Sequence, residues 1–130
     1  MTSEYLPITA TVMKKTAEVA DIVTLHLALD HPSPFEFHFG QFNMLSLFGV
    51  GEVPISIMGW EQGLLMHTIR AVGAVTTPLI RLEPGQQLGL RGPFGQGWPL
   101  EQLKGRDLVF ITAGLGCATV VSAIHHTVAQ

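Results

Sequence analysis

Three short stretches carry the residue types that could bind and orient a small molecule. In Val53-Pro54-Ile55-Ser56-Ile57 a lone hydroxyl, Ser56, stands between two isoleucines, with a proline two residues earlier. The proline removes one ladder donor, which confines the segment to a sheet edge or rim and leaves backbone groups to offer a ligand. In Gly73-Ala74-Val75-Thr76-Thr77-Pro78 a glycine precedes a helix start, where Thr77 has N-cap chemistry and Pro78 suits the first helical position. The N–H groups and dipole of such a start suit the phosphates of a nucleotide; a helix that merely plugs a barrel fits the same residues. In Gly114-Leu115-Gly116-Cys117-Ala118-Thr119 a glycine turn separates an apolar run from an apolar helix. Strand, glycine turn and helix is the order that opens a dinucleotide-binding α/β domain.

Other chemistries have little support. No Ser/His/Asp constellation and no paired carboxylates at a useful spacing are present, which argues against a hydrolase. His26, His31, His38 and His67 are scattered without metal-ligand spacing, and His125-His126 are helix neighbours that face different ways. All six read as surface or packed residues. Cys117, the only cysteine, excludes an internal disulfide and cannot alone hold a zinc ion or an iron–sulfur cluster. It reads as a buried, inert thiol, with activation at the helix start as the competing reading. Ser56 has its own plainer reading as a strand hydroxyl bonded to backbone.

Six strands are predicted to position these stretches. Apolar residues alternate through Ile8 to Lys14, Ile22 to Leu29, Phe42 to Leu47 and Leu64 to Ala71, and shorter runs span Val53 to Ile57 and Gln87 to Arg91. Lys15 to Glu18 is expected to be a polar turn, and so is Gly59 to Gly63. The stretch from Asp30 to Gly40, with Pro32, Pro34, Phe35, Phe37 and Phe39, reads as a loop whose aromatics fold back onto the wall of the sheet. Strands at this spacing indicate a small antiparallel sandwich or barrel. Thr76 to Leu82 reads as a short helix that Pro84-Gly85 ends. The glycine–proline loop from Gly92 to Pro99 looks like a boundary. Beyond it Leu108 to Ala113 fits a strand buried on both faces, which needs further βα units to pack against. The chain itself is therefore expected to be part of a longer protein, or to meet the rest of its sheet in another polypeptide.

Composition narrows the classes. The chain has 130 residues, 47% of them hydrophobic and 13% charged, with a net charge of −3. A mean hydropathy of +0.37 is high for a small domain and points to surface covered by a partner or by further chain. Without a Lys/Arg stripe, electrostatic binding to nucleic acid is not expected. The single cysteine points to a reducing cytoplasm. The first residues lack the features of a signal peptide and no run reaches membrane-span length, so the protein is expected to be soluble or held peripherally through other subunits.

The order of these motifs resembles the ferredoxin–NADP⁺ reductase-like superfamily. It is most similar to the FAD/NAD(P)-binding subunits of cytoplasmic NiFe (sulf)hydrogenase, of anaerobic sulfite reductase (the B subunit) and of dihydroorotate dehydrogenase (the electron-transfer subunit). The likeness runs through GQFNMLSLFGVGEVPISI, LLMHTIRAVGAVTTPLIRLEPGQQLGLRGPFGQGWP and DLVFITAGLGCA. It implies a mostly β fold: a six-stranded antiparallel Greek-key flavin-binding barrel with one short helix over residues 1–100, then the first βα unit of a Rossmann-like NAD(P)-binding domain over residues 101–130.

For the site, the resemblance implies that Pro54, Ile55 and Ser56 flank an isoalloxazine, with the Ser56 hydroxyl near its reactive nitrogen. Thr68, Ile69 and Arg70 would run beside the ribityl and adenosine part. Gly73, Val75, Thr76 and Thr77 would take the diphosphate, and Gly114 and Gly116 would match the nicotinamide-nucleotide turn. Two positions depart from the family pattern. Val53 stands where an arginine is usual, and Thr119 where a proline is usual; the second bears on NAD(P) binding more than on FAD. The implied chemistry is hydride transfer between a nicotinamide and FAD, with one-electron exchange to iron–sulfur clusters in partner subunits and no cluster in this chain. The alternative is a non-catalytic reductase-like barrel that acts as a scaffold between other subunits.

Overall fold

The computed structural model describes residues 5–31 and 34–130; residues 1–4, on which the leader reading rests, and Pro32 of the aromatic loop lie outside the described residues. Seven strands form one antiparallel sheet: β1 (Ile8–Val19), β2 (Ile22–Leu29), β3 (Phe42–Leu47), β4 (Gly51–Ser56), β5 (Gly59–Glu61), β6 (Leu64–Arg70) and β7 (Gln87–Phe94). Their order is β4-β3-β7-β1-β2-β6-β5. The antiparallel fold class is as expected, with one strand more than expected. Hydrogen bonding among the described residues does not close the sheet, because its end strands β4 and β5 are not paired.

The alternation that marks the strands is the alternation of burial. Along β6, Leu65, His67 and Ile69 are buried while Met66, Thr68 and Arg70 face the other way. Leu25, Leu27, Leu45, Leu65, Ile69 and Leu90 meet in the interior, and Phe35 and Phe37 pack against that core from the loop, as the aromatics there predict.

Two expected turns are strand instead. β1 continues through Lys15 to Val19, pairing Thr16 with Thr24 and Ala17 with Val23. Its polar residues sit on the wet face of a sheet, where they mimic turn composition. The register slips between Val12 and Lys14 and between Ala17 and Val19, so Met13 and Glu18 are the extra residues of two β-bulges. Gly59 to Glu61 forms β5 because Gln62 and Gly63, both at positive φ (53° and 80°), make a tight two-residue hairpin into β6.

Helix α1 (Thr76–Ile80) has five residues, and Leu79 is fully buried in the core. Val75 occupies the N-cap without a side-chain cap bond, so Thr77 does not cap and Pro78 lies third in the helix. The stretch 108–113 has no regular secondary structure and pairs with no strand, with Val109 85% and Ile111 93% exposed. An apolar run makes a buried strand only where neighbouring strands take its N–H and C=O groups, and no described strand lies beside it. A 3-10 turn at Gly114–Gly116 leads into α2 (Cys117–Val128), as expected for the apolar helix. Helix α2 lies against β5: a Cβ on Gly59 would collide with Ser122 Oγ. Phe39 and His126 (ring centroids 5.3 Å apart) and Trp98 and Phe110 (6.5 Å) tie the loops of the sheet to the C-terminal segment.

Candidate functional site

The rim strand β4 owes its accessibility to Pro54. On one side β4 pairs with β3, from Leu47↔Gly51 to Phe42↔Ser56. On the other side no strand is hydrogen-bonded to it, which is where a residue without an N–H is tolerated. β4 still comes back against β6 at one point. The buried ring of His67 donates from Nδ1 to the Ser56 carbonyl oxygen at 2.9 Å, and its Nε2 lies 3.2 Å from Asn43 Nδ2. Because the Ser56 oxygen only accepts, the ring carries its proton on Nδ1 and takes the Asn43 amide hydrogen at Nε2. Burial pushes His67 down to about 4, opposed in part by the bond to Ser56. Asn43 Oδ1 has no conventional partner; it abuts Gly92, whose φ of +148° and missing side chain make room for it.

The gap between β4 and β6 opens into a cleft of about 300 Å3 lined by Val53, Pro54, Ile55, Ser56, Thr68, Arg70, Val72, Thr76, Leu115, Ala118 and Thr119. Pro54, Ile55, Ser56, Thr68, Arg70 and Thr76 thus come together from three separate parts of the sequence. An aliphatic wall faces four hydroxyls and one guanidinium, the composition of a small-molecule site: mostly apolar with a few convergent polar groups. Larger hollows beside α2, of about 450 and 510 Å3, are bounded chiefly by 100–108 and by Phe37, Phe39 and Trp60.

The other expected residues sit differently. The Ile69 side chain is fully buried in the core. Gly73 and Val75 shape the turn into α1. Thr76 Oγ1 accepts from the N–H groups of Val72 and Gly73, both at 2.9 Å, so this hydroxyl fixes the turn from inside, while the Thr77 N–H donates to the Gly73 carbonyl at 3.0 Å. Gly114, at φ +55°, and Gly116 start α2 beside the cleft, and Thr119 Oγ1 donates to the Gly116 carbonyl at 2.7 Å. Arg70 Nε donates to Asp21 at 3.2 Å across the surface. Cys117, expected to be buried, is exposed, because the N-terminal end of α2 has nothing described packed over it.

Val53 cannot supply the cation that an arginine there would. The nearest guanidinium to that strand in the ladder, Arg91 on β7, is held by Glu52 in a two-pronged pair at 2.6 and 2.7 Å, which lowers the Glu52 carboxyl and raises Arg91. Sequence reasoning missed His67, although its place between Leu65 and Ile69 in a period-two strand was a signal that it points inward. Leu115 and Ala118 were also missed; they follow from the glycine turn only once the start of α2 is seen to share the cleft with Thr68 and Arg70 of β6.

No protein-family model matches the chain. Among curated proteins, the sulfhydrogenase 1 gamma subunit of Pyrococcus furiosus is 47% identical over 88 residues, covering 66% of this chain and 30% of that protein. A probable dihydroorotate dehydrogenase B (NAD(+)) electron transfer subunit of Methanocella arvoryzae is 34% identical over 115 residues, covering 86% of this chain and 40% of its own length. The chain thus spans well under half of either relative. Among solved structures, the cytochrome P450 reductase GcoB of Amycolatopsis superposes with a TM-score of 0.80 at 25% identity, over 94% of this chain and 39% of that one. An NADH-dependent reduced ferredoxin-NADP oxidoreductase shares the fold at a TM-score of 0.62 and 22% identity, over 75% of this chain and 36% of that one. By sequence and by fold, the chain belongs to the ferredoxin–NADP⁺ reductase-like superfamily, in the group that holds sulfhydrogenase gamma subunits and dihydroorotate dehydrogenase electron-transfer subunits.

Proposed function

We propose that this chain is the flavin-binding part of a cytoplasmic electron-transfer subunit that passes electrons between NAD(P)H and iron–sulfur centres of a multi-subunit redox enzyme. Residues 1–100 form the FAD-binding unit, and residues 101–130 open an NAD(P)-binding α/β unit. The observation that carries this reading is the cleft, where the Val53–Ser56 rim strand, Thr68 and Arg70 of β6 and the glycine turn before α2 face one another. None of the described helices is long and apolar enough to cross a membrane.

The residues fit FAD in the chemistry of the donor set. Val53, Pro54 and Ile55 offer an aliphatic face to a planar ring, Ser56 and Thr68 offer hydroxyls that donate or accept, and Arg70 offers a cation for a phosphate. When bound, the flavin supplies hydride and single-electron exchange. The chain fixes the ring's position through Ser56, whose strand His67 holds from the core, and keeps water from one face with Pro54 and Ile55. Gly114, with open space where a side chain would stand, leaves room for a nucleotide at the start of α2, while the space beside Gly116 is taken by the Thr112 hydroxyl.

One observation favours a second reading, a non-catalytic scaffold barrel. The Thr76 hydroxyl is already bonded to Val72 and Gly73, and no arginine stands at position 53, so the diphosphate end has fewer donors than the ring end. The test is anaerobic addition of NADH, then NADPH, to the complete subunit loaded with FAD. Bleaching of the flavin absorbance, followed by its return on adding the iron–sulfur partner, supports the reductase; a flavin that neither nucleotide reduces supports the scaffold.

A further inference from the structure

A line of hydroxyls runs from the protein surface to the cleft. β2 and β6 pair Thr24 with Thr68, and Thr24 Oγ1 lies 2.8 Å from Thr68 Oγ1. On the far side Thr24 Oγ1 donates to Glu18 Oε1, also at 2.8 Å. Thr68 lines the cleft, Thr24 is 2% exposed, and Glu18 is exposed. Glu18 is the extra residue of the second bulge in β1, a device that re-aims a side chain. The three groups therefore span from bulk water to the ligand wall with no gap longer than a hydrogen bond.

Polarity along the line is fixed by its ends. A carboxylate only accepts, so with Glu18 ionised Thr24 donates to Glu18, and Thr68 donates to Thr24. Thr68 Oγ1 sits on the cleft-lining residue between Thr24 Oγ1 and the Met58 sulfur, 3.1 Å away, which is only a weak acceptor in competition with Thr24. A proton arriving at Glu18 reverses every donor in turn. Glu18 then donates to Thr24, Thr24 to Thr68, and Thr68 into the cleft. His26, whose pKa burial and Lys14 lower, feels the charges of Glu18 and Glu61, so these four groups set the field at the outer end. Arg70 and Asp21 pair at the surface near the end of β6.

We propose that Glu18, Thr24 and Thr68 form a proton relay that delivers a proton from solvent to the ligand in the cleft as that ligand is reduced. The proposal rests on the flavin reading above. Two-electron reduction by a dihydronicotinamide brings one hydride to the ring, and full reduction takes up one further proton. Thr68 gives its proton to the ring and takes that of Thr24, Thr24 takes that of Glu18, and Glu18 is reprotonated by water, so one proton moves per reduction and each hydroxyl is restored. Thr24 and Glu18 act through Thr68 and are positioning residues for the proton.

The test is photoreduction of the FAD-loaded complete subunit with an external electron donor, with proton uptake followed by a pH-indicator dye and FAD affinity measured separately by fluorescence quenching. Thr24→Val is expected to slow proton uptake at least fivefold with FAD affinity within twofold of the parent, and Thr24→Ser to restore the rate. Glu18→Gln, an exposed substitution that leaves the core untouched, is expected to slow it similarly. Unchanged uptake in both Thr24→Val and Glu18→Gln at normal FAD affinity overturns the relay and leaves the flavin reading standing. A parent protein that takes up no FAD overturns both.

Discussion

His67 Nδ1 and the Ser56 carbonyl oxygen, 2.9 Å apart, join β6 to β4 where the sheet ladder does not. The bond runs through the core, while the Ser56 side chain stands in the cleft on the other side of the same strand. The position of the candidate ring-binding hydroxyl is thus set by a buried, neutral imidazole.

That imidazole makes stability depend on pH in a defined window. The folded pKa of His67, about 4, lies below its ordinary value of 6.5, so the unfolded chain binds the extra proton first. The contribution is fully present above about pH 6.5 and is lost as pH falls toward 4, roughly 3 kcal/mol in all. Urea denaturation between pH 7 and 5, above the range where carboxylates titrate, should show about 2 kcal/mol of this loss. His67→Gln should flatten the profile; an equally steep profile in that variant would assign the loss elsewhere.

Gly92 is the second hidden support. Its φ of +148° and the position of Asn43, with Cα 3.3 Å from where a Cβ would stand and Oδ1 nearer still, leave no space for a side chain. Gly92→Ala should cost about 1–3 kcal/mol in chemical denaturation and shift the His67 ring resonances. Gly85, also at positive φ but with open space around it, is the control: Gly85→Ala leaves those resonances in place.

Ser56 and Arg70 face the cleft and contribute little to the fold. Ser56→Ala should change stability by less than about 0.5 kcal/mol and alter the rate of flavin reduction. Arg70→Ala breaks an exposed ion pair with Asp21, worth under about 1 kcal/mol. It should still weaken FAD binding roughly tenfold, or about 1.4 kcal/mol. If Ser56→Ala unfolds the sheet, its hydroxyl is structural.

Cys117 is exposed at the first turn of α2, two residues after Leu115 and directly before Ala118 of the cleft wall. The folded protein should react with a maleimide at the rate of an accessible thiol, and saturating FAD should slow that reaction. Labelling that begins only in denaturant would show that the thiol is covered.

Much of this was legible in the sequence because it follows from local pattern. Leu65-Met66-His67-Thr68-Ile69 announces a half-buried strand, and Pro54 announces a rim. The rest depends on neighbours. Lys15-Thr16-Ala17-Glu18 has the composition of a turn, and only its pairing with β2 makes it strand. Leu108 to Ala113 has the composition of a buried strand and forms none, since an apolar run does not specify what it pairs with. Thr77 has cap chemistry, yet the helix starts two residues earlier than that cap would place it, with Val75 at the N-cap and the Thr76 hydroxyl tying down Val72 and Gly73. The cleft is the meeting of three distant segments, which order in sequence suggests and only the sheet topology brings about.

The central claim is that this cleft binds FAD. The direct measurement is the visible spectrum of the complete protein purified with its natural partners, recorded before and after acid release, with the released compound identified and counted. One FAD per chain, lost on acid treatment and taken up again by the apoprotein, is the expected result. A preparation without flavin absorbance that takes up no added FAD would contradict it.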